Sequence, residues 1–469
     1  MEKGNLSRRG FMERSLTGMV GVGLPLWYAR EILESQVRAA DEPKKNVSPN
    51  DKIRIGLVGC GGQGRGVMRW AKSHKEVEVA AICDVDRNRR EECLAKDLGG
   101  SSEVKMYEDF RELCDRKDLN AVIVGTPDHW HTLVAIDAMK KGKDVYCEKP
   151  LTLTIAEGKA LVKVAQETKA IFQVGSQQRS DARFRLACEL VRNGRVGKIK
   201  TIETRIGDNP QGGPFKEEPV PEGLNWDFWL GQTPKVPYIK QRCHYEFRWW
   251  YEYSGGKMTD WGAHHNDIAQ WALGMDDSGP IEVESLGTEP SRDPSSYNCH
   301  QRFTVTYTYA NGAKVLCSDR QLPNSREPRH DNGILIVGEN NQWIFVNRGL
   351  IEASDQDVRP VQGKKSKGIP GKAGGISKLL EEPLSKDATR LYVSTSHMGN
   401  FLEGIKTRKK CICNEVVGHR SVSVCHLGVI SLRLGGKRFG WDPNSEMSNV
   451  AEVNNMLSRP IRSPWKLEA

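Results

Sequence analysis

Short apolar runs alternate with longer amphipathic segments between residues 53 and 174. The apolar runs predict strands at residues 53–58, 77–83, 120–124, 144–147 and 170–174. The amphipathic segments between them predict helices at residues 64–74, 129–141 and 155–168. Repeated strand–helix units place their strands in parallel with helices on both faces, so this part of the α/β chain predicts a doubly wound parallel sheet.

The pattern changes from about residue 198. Residues 198–205, 281–287 and 303–309 predict strands of a second, different sheet. Asn311-Gly312 separates the third of these runs from residues 314–317, and Asn-Gly is a strong hairpin signal. Residues 333–338 and 343–346 predict a second hairpin. The C-terminal half therefore predicts an α+β domain with a large, mostly antiparallel, open sheet.

The N-terminal residues have the order of a secretory signal. Arg8-Arg9 precede residues 15–29, fifteen positions without a charge, and Val37-Arg38-Ala39 offers a cleavage point. Paired arginines predict the twin-arginine type, which exports folded proteins to the periplasm. The apolar stretch is too short to span a bilayer comfortably and no later one is longer, so we expect no membrane anchor.

These observations divide the 469 residues into five parts. We predict a twin-arginine signal at residues 1–39, a linker at 40–51, a nucleotide-binding domain at 52–178, an α+β substrate and oligomerisation domain at 179–440, and a C-terminal arm at 441–469. The arm either wraps the first domain or reaches a neighbouring subunit.

Composition and charge exclude several classes of protein. Hydrophobic residues make up 38% of the chain and charged residues 28%, as in folded soluble proteins rather than disordered or fibrous ones. The net charge of +9 is spread too thinly for a nucleic-acid-binding surface, so we expect no nucleic-acid partner. The 12 cysteines lack the spacing of a zinc site, so we expect buried free thiols and no metal.

Gly59-Cys60-Gly61-Gly62-Gln63-Gly64 follows the first predicted strand and opens a helix. In this position a G-x-G-x-x-G turn binds the pyrophosphate of a dinucleotide at the helix N-terminus, as in a Rossmann domain. Asp84 ends the second strand, 25 residues after Gly59, where its carboxylate can accept both ribose hydroxyls. That favours NAD, although Arg87 and Arg89 nearby leave NADP possible.

Two further segments end buried strands, at the sheet edge where ligands bind in open α/β sheets. Thr126-Pro127 and His131 follow the predicted strand at residues 120–124, and Glu148-Lys149-Pro150 follows the one at 144–147. A lysine here is either a solvated amine or a group aimed at one substrate atom. In the second domain Asp260 and His264 are four residues apart, which predicts a shared helix face on which the carboxylate orients the imidazole.

Together these residues resemble the Gfo/Idh/MocA oxidoreductase family. The resemblance covers about residues 53–440 and rests on Gly59/Gly61/Gly64, Thr126-Pro127 with His131, Glu148-Lys149-Pro150, Gly197-Lys198-Ile199, and Asp260 with His264. It implies an enzyme with a Rossmann domain and an α/β domain that often forms dimers or tetramers. It also implies that Lys149, Asp260 and His264 form the catalytic site. The residues expected around the cofactor are Gly59, Gly61, Gly62, Gln63, Gly64, Asp84, Thr126, Pro127, His131 and Glu148.

We therefore expect hydride transfer between NAD and a secondary hydroxyl of a sugar, glycoside or cyclitol. We assign the proton transfer to His264 and place Lys149 on the same substrate oxygen. Lys149 is the competing candidate for the base. Aromatic and polar residues predict a sugar site; the candidates are Trp130, Arg179, Trp250, Tyr251 and His265. Interdomain core packing is the alternative for Trp249 and Trp250.

Two other functions stay open. One is a redox-neutral, NAD-dependent cleavage or epimerisation of glycosides; family branches with glycosidase activity often lack the lysine found at position 149. The other is a non-catalytic carbohydrate-binding protein on the same scaffold. Because nicotinamide is not replenished outside the cytoplasm, an exported enzyme of this kind is expected to carry its cofactor tightly bound.

Overall fold

A computed structural model describes residues 8–21, 23–41, 52–323, 325, 330–355 and 377–468. Most of the predicted linker at 40–51 lies outside the described residues. The remainder forms two sheets with helices packed around them.

The first sheet has six parallel strands in the order β3-β2-β1-β4-β5-β6, the order of a Rossmann fold. Its strands are β1 Ile53–Val58, β2 Val77–Cys83, β3 Lys105–Tyr107, β4 Ala121–Val124, β5 Asp144–Cys147 and β6 Phe172–Val174. Its helices are α3 Gly62–Lys72, α4 Arg87–Leu98, α5 Phe110–Cys114, α6 Asp128–Lys140 and α7 Ile155–Thr168. The predicted parallel sheet is confirmed, and the short, largely exposed strand β3 is an addition to it.

The second sheet has nine strands in the order β13-β12-β11-β7-β10-β9-β8-β14-β15. These are β7 Ile199–Arg205, β8 Glu282–Gly287, β9 Phe303–Thr308, β10 Lys314–Ser318, β11 Gly333–Gly338, β12 Trp343–Asn347, β13 Leu350–Ala353, β14 Phe439–Asp442 and β15 Met447–Ser448. Both predicted hairpins are present, β9–β10 and β11–β12. The pairs are antiparallel except β7–β10, so the predicted mostly antiparallel sheet is confirmed.

Helices cover one face of this sheet and extend to the first domain. They are α8 Ala182–Arg192, α9 Trp226–Leu230, α10 Lys257–Asp260, α11 Gly262–Leu273, α12 Lys378–Glu381, α13 His397–Thr407, α14 Glu415–Arg433 and α15 Ala451–Asn455. Phe401 of α13 packs in one core with strand β1, and Val422 of α14 packs in another with α7. The two domains therefore share buried surface, which holds the site between them in one geometry.

The C-terminal residues pack on the first domain. β14 extends the second sheet beyond the predicted start of the arm at residue 441. Further on, the Trp465 ring lies 4.7 Å from the Trp130 ring and 5.3 Å from the Phe228 ring, centroid to centroid. Within one chain, the end of the arm thus packs on the first domain and on the adjoining Phe228 of the second.

The N-terminal segment is two helices, α1 Arg8–Gly21 and α2 Leu26–Asp41. On α2 the side chains of Tyr28 and Ile32 are buried in the core of the second domain. Arg185 Nε donates to Tyr28 Oη at 2.7 Å and its guanidinium stacks over that ring. The segment predicted as a signal is thus also a packed part of the fold.

Substituting Tyr28 with alanine in the full chain is expected to lower the free energy of unfolding by about 3 kcal/mol, since a large buried ring is lost. Denaturant unfolding measures this on protein kept in the cytoplasm by Arg8→Lys and Arg9→Lys. The exposed Leu26 on the same helix supplies the control, Leu26→Ala. Equal stability of the two variants would contradict the packing of α2.

Candidate functional site

The glycine-rich turn joins β1 to α3, and the helix begins at Gly62, two residues before the predicted start. Gly59 has a φ of +97°, and a Cβ there would meet the backbone of Gly125 at 2.5 Å. A Cβ on Gly64 would meet Gly59 O at 2.0 Å. Nothing lies within 4 Å of the Cβ positions of Gly61 and Gly62, so backbone N–H groups at the helix N-terminus are open to a phosphate.

Asp84 lies at the end of β2 with its carboxylate fixed by backbone N–H groups. Cys60 N donates to Asp84 Oδ2 at 2.7 Å and Asp86 N donates to Oδ1 at 3.0 Å. Burial raises the pKa of Asp84. Arg89 lines the cavity that begins at the glycine-rich turn, whereas Arg87 pairs with Glu222 at 2.9 Å. The carboxylate suits a ribose diol, and Arg89 is the residue that keeps NADP possible.

Replacing Asp84 with serine is expected to weaken NAD binding about tenfold and to raise the relative affinity for NADP, because a carboxylate repels a 2′-phosphate. Titrating the cofactor-free protein with each dinucleotide measures the ratio. Glu222→Ser is a control that removes a carboxylate outside the cavity. An unchanged ratio in the Asp84→Ser variant would contradict the role of Asp84.

A cavity of about 450 Å³ runs from the glycine-rich turn to the second domain. Its lining includes these predicted cofactor and substrate residues: Gly59, Gly61, Gly62, Gln63, Asp84, Thr126, Pro127, Trp130, His131 and Glu148. Gly64 lies behind the turn, where its hydrogen lets helix and strand pack closely. Lys149, Asp260 and His264 line the same cavity, so the first domain's lysine and the second domain's imidazole converge.

His131 and Glu148 hold the strand ends in place. The His131 ring nitrogens lie 2.7 Å from Pro150 O and 3.0 Å from Thr126 O, linking the segments after β4 and β5. Gln177 Nε2 donates to Glu148 Oε1 at 3.1 Å. Burial raises the pKa of Glu148 and lowers that of His131, so both are held closer to neutrality than in water.

Lys149 and Asp260 form the central ion pair of the site. Lys149 Nζ donates to Asp260 Oδ1 at 2.6 Å and to Asp260 O at 3.1 Å. The prediction that Asp260 orients His264 is wrong, because the helix is interrupted at Trp261, between α10 and α11, and the carboxylate turns to the lysine. Asp260 therefore positions Lys149.

His264 is buried and neutral at neutral pH. Burial, followed by the positive charges of Lys149 and Arg348, lowers its pKa well below the ordinary value of 6.5. His264 Nδ1 is buried and has no hydrogen-bond partner among the described residues. A neutral imidazole with a free nitrogen at a cavity is suited to accept a proton.

The cavity fits a nicotinamide dinucleotide. Three of its buried polar atoms lack a partner within the described part of the chain: Thr126 Oγ1, Glu148 Oε2 and His264 Nδ1. Buried polar groups are rarely left unpaired, so a ligand that supplies donors and acceptors accounts for them. The open glycine-rich turn at one end of the cavity matches a phosphate, Asp84 beside it matches a ribose, and the other end of the cavity matches the nicotinamide.

Four predicted substrate residues lie elsewhere. Arg179 is buried and pairs with Asp267 and Asp276, and Trp250 is buried with its N–H on Gln241 O. Tyr251 Oη bonds to His300 and lines a different cavity. His265 lies between Gln178 and Asn332. These four assignments to the substrate site are wrong, because nearness in sequence to the motifs does not direct a side chain to the cavity. Trp250 is part of a hydrophobic core, which was the alternative prediction for it.

Four charged residues of the cavity were not predicted: Glu108, Asp128, Arg248 and Arg348. Arg248 Nε lies 3.6 Å from Asp260 Oδ1, and Arg348 lies in the turn after β12. Asp128, which accepts a hydrogen bond from Ser254, has its pKa raised by burial to about 7. Asp128 lies within the segment from Thr126 to His131, so its position after a buried strand could have indicated that it lines the cavity. No pattern in the sequence indicates this for Arg348.

Within the described residues no helix is both long and apolar enough to cross a bilayer. The same residues contain no group of three or more metal-ligating side chains. The twelve cysteines are free and buried, as predicted.

The fold and the site define a two-domain protein with an NAD-binding Rossmann domain. Family models agree: residues 53–176 match "Oxidoreductase family, NAD-binding Rossmann fold", and residues 212–327 and 352–467 match "Oxidoreductase family, C-terminal alpha/beta domain". The chain therefore belongs to the Gfo/Idh/MocA family of oxidoreductases.

Curated relatives match over part of their length. The chain is 31% identical to an inositol 2-dehydrogenase of Salmonella typhimurium over 155 residues, 33% of this chain and 45% of the relative. It is 30% identical to a glycosyl hydrolase family 109 protein of Shewanella pealeana over 172 residues, 35% of this chain and 38% of the relative. The matched region thus spans less than half of either relative.

Solved structures share the fold at low sequence identity. The Bordetella pertussis WlbA dehydrogenase, in complex with NADH and UDP-GlcNAcA, has a TM-score of 0.56 at 18% identity, covering 82% of this chain and 98% of that chain. The Caulobacter crescentus aldose-aldose oxidoreductase, complexed with glycerol, has a TM-score of 0.56 at 18% identity, covering 82% and 99%.

Proposed function

We propose that this protein moves hydride between NAD and a secondary hydroxyl of a sugar or polyol. The convergence of Lys149 and His264 on the cavity that begins at the glycine-rich turn carries this proposal. The inositol dehydrogenase relative supports the substrate class.

Bound NAD supplies the hydride acceptor. Oxidation of an alcohol also releases the hydroxyl proton, which needs an acceptor at the moment of transfer. His264 takes this proton, because its lowered pKa keeps it neutral. Lys149, held by Asp260 at 2.6 Å, donates to the substrate oxygen and stabilises its developing negative charge.

A substrate screen tests the proposal. Purified protein is supplied with NAD and a panel of aldoses, inositols and their glycosides, and the absorbance of reduced nicotinamide is followed. We expect reduction with at least one free sugar or polyol. If the cofactor binds and no member of the panel reduces it or is converted, the proposal is wrong.

Redox-neutral glycoside cleavage is the second candidate, favoured by the glycosyl hydrolase family 109 relative. In that reaction the glycoside is oxidised, cleaved and reduced again, so the cofactor shows no net change. Release of the aglycone from an aryl glycoside without net nicotinamide reduction would select this candidate over the dehydrogenase.

We also propose export through the twin-arginine route with NAD already bound. The paired arginines before an uncharged stretch support the route. The deep cavity between two domains supports retention of the cofactor. Denaturing protein purified from the periplasm should release nicotinamide dinucleotide, and its absence would contradict cofactor retention.

A homodimer or homotetramer is proposed from the open second sheet, whose β9 residues Thr304, Thr306 and Thr308 alternate with buried ones. Sedimentation of the purified protein tests this, and a monomer at micromolar concentration would contradict it.

A further inference from the structure

The substrate end of the cavity carries three positive side chains and three carboxyl groups. Lys149, Arg248 and Arg348 line it, and Asp260 is the carboxylate shared by the first two. The other two carboxyl groups, Asp128 and Glu148, are buried, and burial raises the pKa of both. Lys149 and Arg248 are thus both near Asp260, and Arg348 is the cation outside that ion-pair group.

Arg348 is an exposed residue on which the charges of Asp260, Glu148 and Asp181 act from beyond ion-pair distance. It lies between β12 and β13, with its guanidinium carbon 4.9 Å from the centroid of the Trp261 ring. Trp261 in turn contacts the His264 ring, with centroids 5.9 Å apart. No carboxylate of the described residues lies within ion-pair distance of Arg348, although it faces the same cavity as Lys149.

A guanidinium placed over an aromatic ring beside a catalytic imidazole is ordered in space while its five donors remain available. Its planar fork matches a carboxylate, which it binds through two parallel hydrogen bonds. Arg348 is exposed and lines the cavity, so an anion that enters the cavity can reach its guanidinium.

We propose that the substrate of this cavity is an acidic sugar or polyol, a uronate or aldonate, whose carboxylate pairs with Arg348. This inference rests on the proposed function and narrows its substrate class. The reacting hydroxyl then lies between Lys149 and His264, and the carboxylate lies toward the β12–β13 turn. Arg348 is a specificity residue, since it contacts the substrate away from the reacting carbon.

Matched pairs test the inference on the full-length, cofactor-loaded protein. Glucose and glucuronate, galactose and galacturonate, and glucose 6-phosphate are compared by kcat/KM and by calorimetric binding. We expect each uronate to exceed its neutral parent at least tenfold in both measurements. Arg348→Gln is expected to reduce this acid-to-neutral ratio at least tenfold, mainly through KM, and Arg348→Lys to reduce it less.

Arg438→Gln is the matched control, because this exposed arginine pairs with Glu282 at the far edge of the second sheet and leaves the ratio unchanged. If neutral sugars are preferred to their acids, or equal them, the inference is overturned and the proposed function stands. A preference for glucose 6-phosphate over glucuronate would have the same meaning. A ratio unaltered in Arg348→Gln would overturn the assignment of Arg348. Uronate binding without any turnover would support the inference and count against the proposed function.

Discussion

Replacing Lys149 with methionine is expected to lower kcat for alcohol oxidation about a thousandfold, the effect of removing a donor that stabilises a developing oxyanion. Lys149 Nζ is the cation fixed at the cavity by two hydrogen bonds to Asp260. Methionine keeps most of the side chain's length and apolar volume, so the charge is the main loss. Single-turnover reduction of bound NAD measures the rate, and the nicotinamide content of the variant shows that the cofactor is retained.

Removing Lys149 alone leaves the half-buried Asp260 with only the more distant Arg248 as a cation, which by itself destabilises the site. The double variant Lys149→Met/Asp260→Asn removes both charges and is expected to stay as slow as the single variant. Lys163→Met on α7 is the control, since this lysine is exposed and outside the cavity. A Lys149→Met enzyme with more than a tenth of the original rate would refute the assignment.

Replacing His264 with glutamine is expected to lower kcat by two to three orders of magnitude, about the contribution of a positioned base. His264 lines the cavity and its Nδ1 has no partner among the described residues, and glutamine preserves size and polarity without accepting a proton. His74→Gln, at the end of α3 and outside the cavity, is the control.

The pH profile separates the loss of a base from a packing defect. Because the pKa of His264 is lowered well below 6.5, the imidazole stays neutral as the pH falls through 6.5. The acid limb of kcat/KM for oxidation is therefore expected at a lower pH than for an ordinary histidine. In His264→Gln this limb should disappear. A limb at or above pH 6.5 in the original enzyme, or one that persists in the variant, would show that another group takes the proton.

Much of the first domain could be predicted because its signals are local. Helix α7 begins and ends as predicted: Thr154 Oγ1 caps it by accepting from Glu157 N, and Lys169 ends it in a left-handed conformation. Strand β5 also matches, since an apolar run buried on both faces leaves little freedom in its bounds. Strand β3 lacks such a run, and it exists because β2 offers it an edge.

The site was predictable where a residue follows a buried strand. Asp84, Thr126 and Lys149 reach the cavity because the carboxyl ends of β2, β4 and β5 meet at one edge of the sheet. The four predicted substrate residues that lie outside the cavity do not immediately follow buried strands, and those predictions were wrong. Arg179 and Tyr251 lie near motifs in sequence, but helix packing directs the first to Asp267 and the second to His300.

The sequence by itself determined the two sheets, the glycine-rich turn and the approach of Lys149, because periodicity, glycine geometry and strand order are properties of neighbouring residues. Only the tertiary structure decided that Asp260 pairs with Lys149, 111 positions away. It also decided that Arg348 faces His264's cavity and that Tyr28 is buried against Arg185. Such contacts depend on how whole helices and sheets pack, and no local pattern of residues encodes which distant partner a side chain meets.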